Sequence, residues 1–116
     1  MTAPDWVIVV SHAARQDIRD IRRWSARTFG TRQTDAYVGQ LMSAIQTLAQ
    51  GPTARGVRQR SDLPAGMLVL RAPSARRRGQ HFAVLRFDTV GDRRRVLVLR
   101  ILHTKMDLPR YLKPPA

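Results

Sequence analysis

Two helix-periodic stretches joined by a very short connection at Gly30-Thr31 set the tightest limit on how this chain folds. Ala14, Ile18, Ile21 and Trp24 recur at three- and four-residue steps, as do Tyr37, Val38, Leu41, Ala44, Ile45 and Leu48. Each stretch therefore presents one apolar stripe. Ser11 stands where the first helix needs an N-cap. Gly30 follows Phe29 as the C-terminal break. The second helix starts between Thr31 and Asp35 and is stopped by Gly51-Pro52. So short a link folds the helices back as an antiparallel hairpin. Their stripes must be covered by something, and the strands are the only partner the chain offers.

Trp6-Val7-Ile8-Val9-Val10 is a near-continuous apolar run, the pattern of a strand covered on both faces or central in a sheet. Pro52 to Ala65 is polar and Arg-rich and reads as a loop. Met67 to Leu70 is a second strand, ended by Ala72-Pro73-Ser74, and Arg76-Arg77-Arg78-Gly79 connects it to a third, His81 to Phe87. Arg95 to His103 is the fourth, with Gly91-Asp92 signalling a hairpin before it. The expected fold is α+β in the order β-α-α-β-β-β. A helical hairpin packs on one face of a small, mainly antiparallel sheet, and a short C-terminal tail follows. At 116 residues, positions 1–116 are expected to form one domain.

The formal charge is +13, and it is lopsided. Residues 1–51 carry six Arg against four Asp, whereas residues 52–116 carry thirteen Arg and two Lys against four Asp. Such a field favours an acidic partner, nucleic acid or peptide. There is no cysteine, which excludes disulfides and thiolate metal sites. No apolar run reaches the ~20 residues of a membrane span, so a soluble, cytoplasmic protein with no membrane contact is expected. No cofactor or metal site is indicated, because the three histidines lack ligand spacing.

Arg71, Arg86 and Arg100 lie within or at the ends of otherwise apolar strands. Burying a charge is costly unless it is paired, so the economical place for all three is the sheet face away from the helices. A two-residue hairpin loop sets Arg86 opposite Leu97; a three-residue loop including Arg93 sets it opposite Val98 and puts Arg100 on its side. The sequence leaves both registers open. His103 closes the last strand, and a lone strand-end histidine is more often structural than catalytic. His12 and His81 are read as structural too. Met106 and Leu108 in the tail are read as packing back on the sheet, or else as presenting an interaction surface.

The opening strand, Ser11-His12-Ala13-Ala14-Arg15-Gln16-Asp17-Ile18, the Gly30 break, Tyr37-Val38 with Leu41, Leu48-Ala49-Gln50-Gly51-Pro52, and Arg100-Ile101-Leu102-His103 with Met106-Asp107 follow one another in an order that resembles the RelE/ParE toxin–antitoxin superfamily, its ParE branch above all. The resemblance spans nearly the whole chain and implies a toxin of a type II toxin–antitoxin system. ParE-type members bind DNA gyrase and are not known as enzymes, which implies no catalytic residues here. A cognate antitoxin folds onto the toxin, and DNA is contacted only indirectly, through that antitoxin. On this reading Arg71, Arg86, Arg100, His103, Lys105, Met106, Asp107 and Arg110 are target-binding candidates. Trp24, Tyr37 and Leu41 are candidates for the antitoxin groove.

The alternative is a RelE-type, ribosome-dependent mRNA endoribonuclease, with His103 as acid or base and Arg71 and Arg86 on the phosphate. Two departures weaken it. Phe82 stands where RelE-type members carry an Arg, and Thr104 follows His103 where the terminal Tyr or His-Tyr motif would be. A third reading, a plain nucleic-acid-binding domain, lacks the interleaved exposed aromatics of a stacking platform.

Overall fold

The computed structural model describes residues 5–71 and 81–103. The chain runs β1 (Val7–Val10), α1 (His12–Phe29), α2 (Thr31–Gln46), a 3-10 turn (Thr47–Gln50), β2 (Val57–Gln59), β3 (Leu68–Arg71), β4 (His81–Val90) and β5 (Arg93–His103). The five strands form one sheet in the order β1-β5-β4-β3-β2. β1 runs parallel to β5 and every other pairing is antiparallel. This is the expected α+β arrangement, with one addition: the stretch read as a loop contains the short edge strand β2.

The helical hairpin forms as its punctuation requires. Ser11 caps α1, its Oγ accepting from the Ala14 N–H at 3.0 Å and donating to the Leu99 carbonyl at 2.8 Å, so one side chain ties the helix start to β5. Gly30, at φ 85°, ends α1 and begins α2 with no helical residue between. Ala14 and Ile21 of α1 and Leu41, Ala44, Ile45 and Leu48 below α2 pack on Leu70, Ala83, Leu85, Val96, Val98 and Ile101 of the sheet.

Two expectations about burial are corrected. Trp24 is 55% exposed, and Ser25 takes the buried position in its place, because at 100° per residue the inward stripe that runs Ala14, Ile18, Ile21 continues at the four-residue step. β1 reads as a two-face-covered or central strand, yet it forms an edge of the sheet, with Val7 53% and Val9 38% exposed. The helices cover only the Ile8 and Val10 side of it.

The opposite sheet face is not bare throughout. Leu63 and Met67, from the segment before β3, pack with Phe82 over Val69, Val84 and Leu102, and Val84 and Leu102 are almost wholly buried. The remainder, toward β1 and the β4–β5 turn, stays open.

Gly51 closes the helical segment at φ 87°, ψ −161°, a region open essentially to glycine alone. A Cβ there would also run into the indole of Trp6, a residue whose backbone N–H donates to the Ala49 carbonyl at 2.9 Å. Gly51→Ala is expected to lower stability by about 2–4 kcal/mol, the sum of backbone strain and overpacking, read from urea unfolding midpoints.

Candidate functional site

The β4–β5 register decides which candidate residues meet. The turn is the two-residue one, with Val90 opposite Arg93, and Arg86 faces Leu97. The pairing then slips by one residue: Leu85 faces Val98, but Val84 faces Arg100, leaving Leu99 as a bulge. Side chains alternate along a strand, so one extra residue exchanges the faces of everything beyond it. Ile101 and His103 thereby come to the helix side, and Arg100 and Leu102 fall in register with the opposite face. In an unbulged ladder the assignments of these four residues would be reversed.

The bulge is held from α1. Asp17 accepts from Arg100 Nε at 2.8 Å and Nη2 at 2.9 Å, and from the Ile101 backbone N–H at 2.8 Å. Beyond the end of β1 this edge of β5 has no neighbouring strand, and the Asp17 carboxylate takes a strand's place as acceptor. A bidentate guanidinium–carboxylate pair is among the stronger polar contacts a protein makes. It also neutralises Arg100. The expectation of one cationic surface made by Arg71, Arg86 and Arg100 is therefore corrected: Arg71 and Arg86 are exposed on the open face, while Arg100 is engaged with the helix. Arg71 lies 5.3 Å from the Phe82 ring centroid, and Arg60 lies 5.4 Å from it.

His103 belongs to a different group. It faces His81 across the ladder with ring centroids 5.2 Å apart, and the Tyr37 hydroxyl lies 2.6 Å from His81 Nδ1. Burial, the neighbouring His103 and, opposing them, Asp17 together push the His81 pKa down from 6.5 to about 4. At neutral pH the ring is uncharged. Assigning its proton to Nε2 lets the Tyr37 hydroxyl donate to Nδ1. The structure thus assembles Tyr37, His81 and His103 on the helix side, and Arg71 and Arg86 on the other. The nuclease constellation of His103 with Arg71 and Arg86 is not brought together.

The remaining candidates separate as well. Leu41 is 1% exposed in the core under α2, so it lines no groove, a correction that follows from its central place in the α2 stripe. Tyr37 is half-buried against His81. Trp24 is exposed and packs edge-on against Phe29 at 5.7 Å, forming an aromatic patch near the hairpin turn. Lys105, Met106, Asp107 and Arg110 lie outside the described residues. Among the described residues no group of three His, Cys, Asp or Glu side chains is placed to hold a metal ion, and no helix is long and apolar enough to cross a membrane. The sequence reading missed Asp17 and His81 as site residues. One of two aspartates among the arginines of α1 and a histidine at a strand start acquire meaning only through partners 83 and 22 positions away.

A family model described as the ParE toxin of type II toxin-antitoxin system, parDE, matches residues 8–108. Two solved structures share the fold. One is described as the chromosomal ParDE TA system from P. aeruginosa, with 16% identity, 86% of this chain and 97% of that one covered, and a TM-score of 0.69. The other is described as a YoeB/ParE toxin from Agrobacterium tumefaciens, with 20% identity, 84% and 96% covered, and a TM-score of 0.55. No curated protein matches by sequence.

The His81 environment has a measurable consequence. The unfolded chain protonates this ring below its ordinary pKa of 6.5, the folded chain only near 4, so its contribution to stability is present above pH 6.5 and is lost as the pH falls toward 4. Denaturant midpoints are expected to fall across that window, and His81→Gln to flatten the profile there. Asp88, whose carboxyl is held below its ordinary 3.8 chiefly by the Arg95 hydrogen bond, acts at more acidic pH and leaves that window clear.

Proposed function

Since the chain belongs to the ParE family of toxins from type II toxin–antitoxin systems, we propose that it acts by binding DNA gyrase, without catalysing a reaction of its own, and that a cognate antitoxin silences it. The observation that carries the non-enzymatic reading is the division of the candidate residues by the sheet. Phosphodiester transfer needs an acid or base and its cations on one side of one phosphate, and His103 stands apart from Arg71 and Arg86. Binding makes no such demand. The exposed guanidinium groups of Arg71 and Arg86 suit contact with an acidic macromolecular surface, and Lys105, Met106, Asp107 and Arg110 complete the set proposed to face the target. Arg100 and His103 act on that set by positioning, through Asp17 and His81.

The antitoxin is proposed to place apolar side chains on the Trp24–Phe29 patch. The excess positive charge of the chain suits an acidic segment that folds as it binds.

Purified protein is expected to inhibit gyrase supercoiling of relaxed plasmid and to accumulate cleaved DNA. Intact supercoiling together with arrested translation and cut mRNA would overturn the gyrase reading. Arg86→Glu is expected to weaken inhibition at least tenfold at an unchanged unfolding midpoint, because its side chain is exposed. Trp24→Ala is expected to weaken antitoxin binding about tenfold and to leave gyrase inhibition unaltered.

A further inference from the structure

Four arginines of α1, Arg15, Arg19, Arg23 and Arg27, follow one another at four-residue steps, and all four are exposed. Each step advances about 6 Å along the helix and turns about 40° around it. The row therefore crosses the side of α1 that lies opposite the buried Ala14, Ile21 and Ser25. That side belongs to the helix layer and points away from the sheet. Arg15 and Arg27 leave the helix about 120° apart, with Arg19 and Arg23 between them.

Little within the protein balances this charge. Among the described residues none of the four arginines has a carboxylate partner. Asp17 is taken by Arg100 and Asp35 by Arg22, which leaves Asp20 as the one acidic residue of α1 to oppose the row. Like charges four residues apart destabilise a helix, and the first turn holds no acidic residue to meet the helix dipole. The row thus works against the helix that carries it, and its use lies outside the fold. Gln16 and Ala26 share this side of α1, but no large apolar side chain does, since Trp24 and Phe29 fall outside it. Protein interfaces are built around apolar and aromatic anchors with charge depleted at their centre, whereas interfaces with DNA are far more polar and positive. A single strand would need exposed aromatics for its bases to stack on, and the row has none.

We infer that the outward side of α1 binds duplex DNA, with its four guanidinium groups on the phosphates. The row is about 18 Å long, and a DNA duplex carries one charge per about 1.7 Å of its axis. The major groove of DNA, about 12 Å wide, admits a helix and offers phosphates on both walls, which the diverging Arg15 and Arg27 can reach. Duplex RNA has a deep, narrow major groove that excludes such an approach. The α1 side and the open sheet face with Arg71 and Arg86 look in opposite directions, so one molecule can touch DNA and a protein at once. The inference goes beyond the gyrase reading and beyond DNA contact through an antitoxin, because this chain makes the contact itself with no other protein present.

The test is binding of the full chain, free of other proteins, to a short fluorescent DNA duplex across a salt series. Arg19→Gln with Arg23→Gln is expected to weaken binding at least tenfold and to lower the salt slope by about 1.8, the share of two phosphate contacts. Arg58→Gln with Arg93→Gln removes the same charge from exposed positions on the sheet and is expected to weaken binding less than threefold. The unfolding midpoint of the α1 variant is expected to equal or exceed that of the parent, because the row repels itself. Equal losses from the two double variants assign binding to net charge and overturn the inference. So does a lowered midpoint, which makes the row part of the fold. Duplex RNA or single-stranded DNA bound as tightly as duplex DNA overturns it as well. DNA affinity unmoved in the α1 variant, with antitoxin binding lost, gives the row to a protein partner and overturns it. Loss of DNA binding in the α1 variant by a parent that leaves gyrase active upholds the inference and overturns only the gyrase reading.

Discussion

The bidentate pair between Asp17 and Arg100, with the Ile101 N–H on the same carboxylate, joins α1, β5 and the bulge that sets the faces of the last strand. It fastens α1 to β5 past the end of β1, where the last strand would otherwise expose unpaired backbone. It stands beside the bulge at Leu99, whose carbonyl is bonded by Ser11 at the start of the same helix. Hydrogen bonds to charged groups contribute more than neutral ones, about 1.5–3 kcal/mol each. Ser11 at the N-cap of α1 and Asp17 within it thus hold an irregularity that an unaided ladder would tend to lose. That irregularity then decides the face on which each later residue lies.

Its consequence is a division of labour between the two sides of the sheet. On the helix side, His103, His81 and Tyr37 form a compact group whose central ring is kept neutral by burial and by its neighbour. On the other side, Arg71 and Arg86 remain charged and exposed. A chain that needed to cleave a phosphodiester would gain from uniting these groups. A chain that grips another protein gains from keeping the histidines as internal structure and the arginines outside. The proposed action by binding rests on this arrangement.

The sheet margins show a parallel economy. Both margins are short: β2 has three residues with Arg58 in the middle, and β1 has four, all apolar.

Local patterns were enough to show much of this. The 3.6-residue period of residues 37–48, the Ser11 cap and the Gly30 and Gly51 breaks identified the helical hairpin, because helix formation depends on neighbours a few positions away. The Gly91-Asp92 signal located the last hairpin, and the resemblance carried by the terminal Arg100-Ile101-Leu102-His103 run pointed to the family. Tertiary structure alone decided the edge position of β1, the exposure of Trp24 beside a buried Ser25, the bulge at Leu99, and so the separation of His103 from Arg71 and Arg86. The physical reason is reach. A strand's period states which residues share a face, but which face that is, and which neighbour covers it, depends on contacts such as Asp17 with Arg100 between residues most of the chain apart.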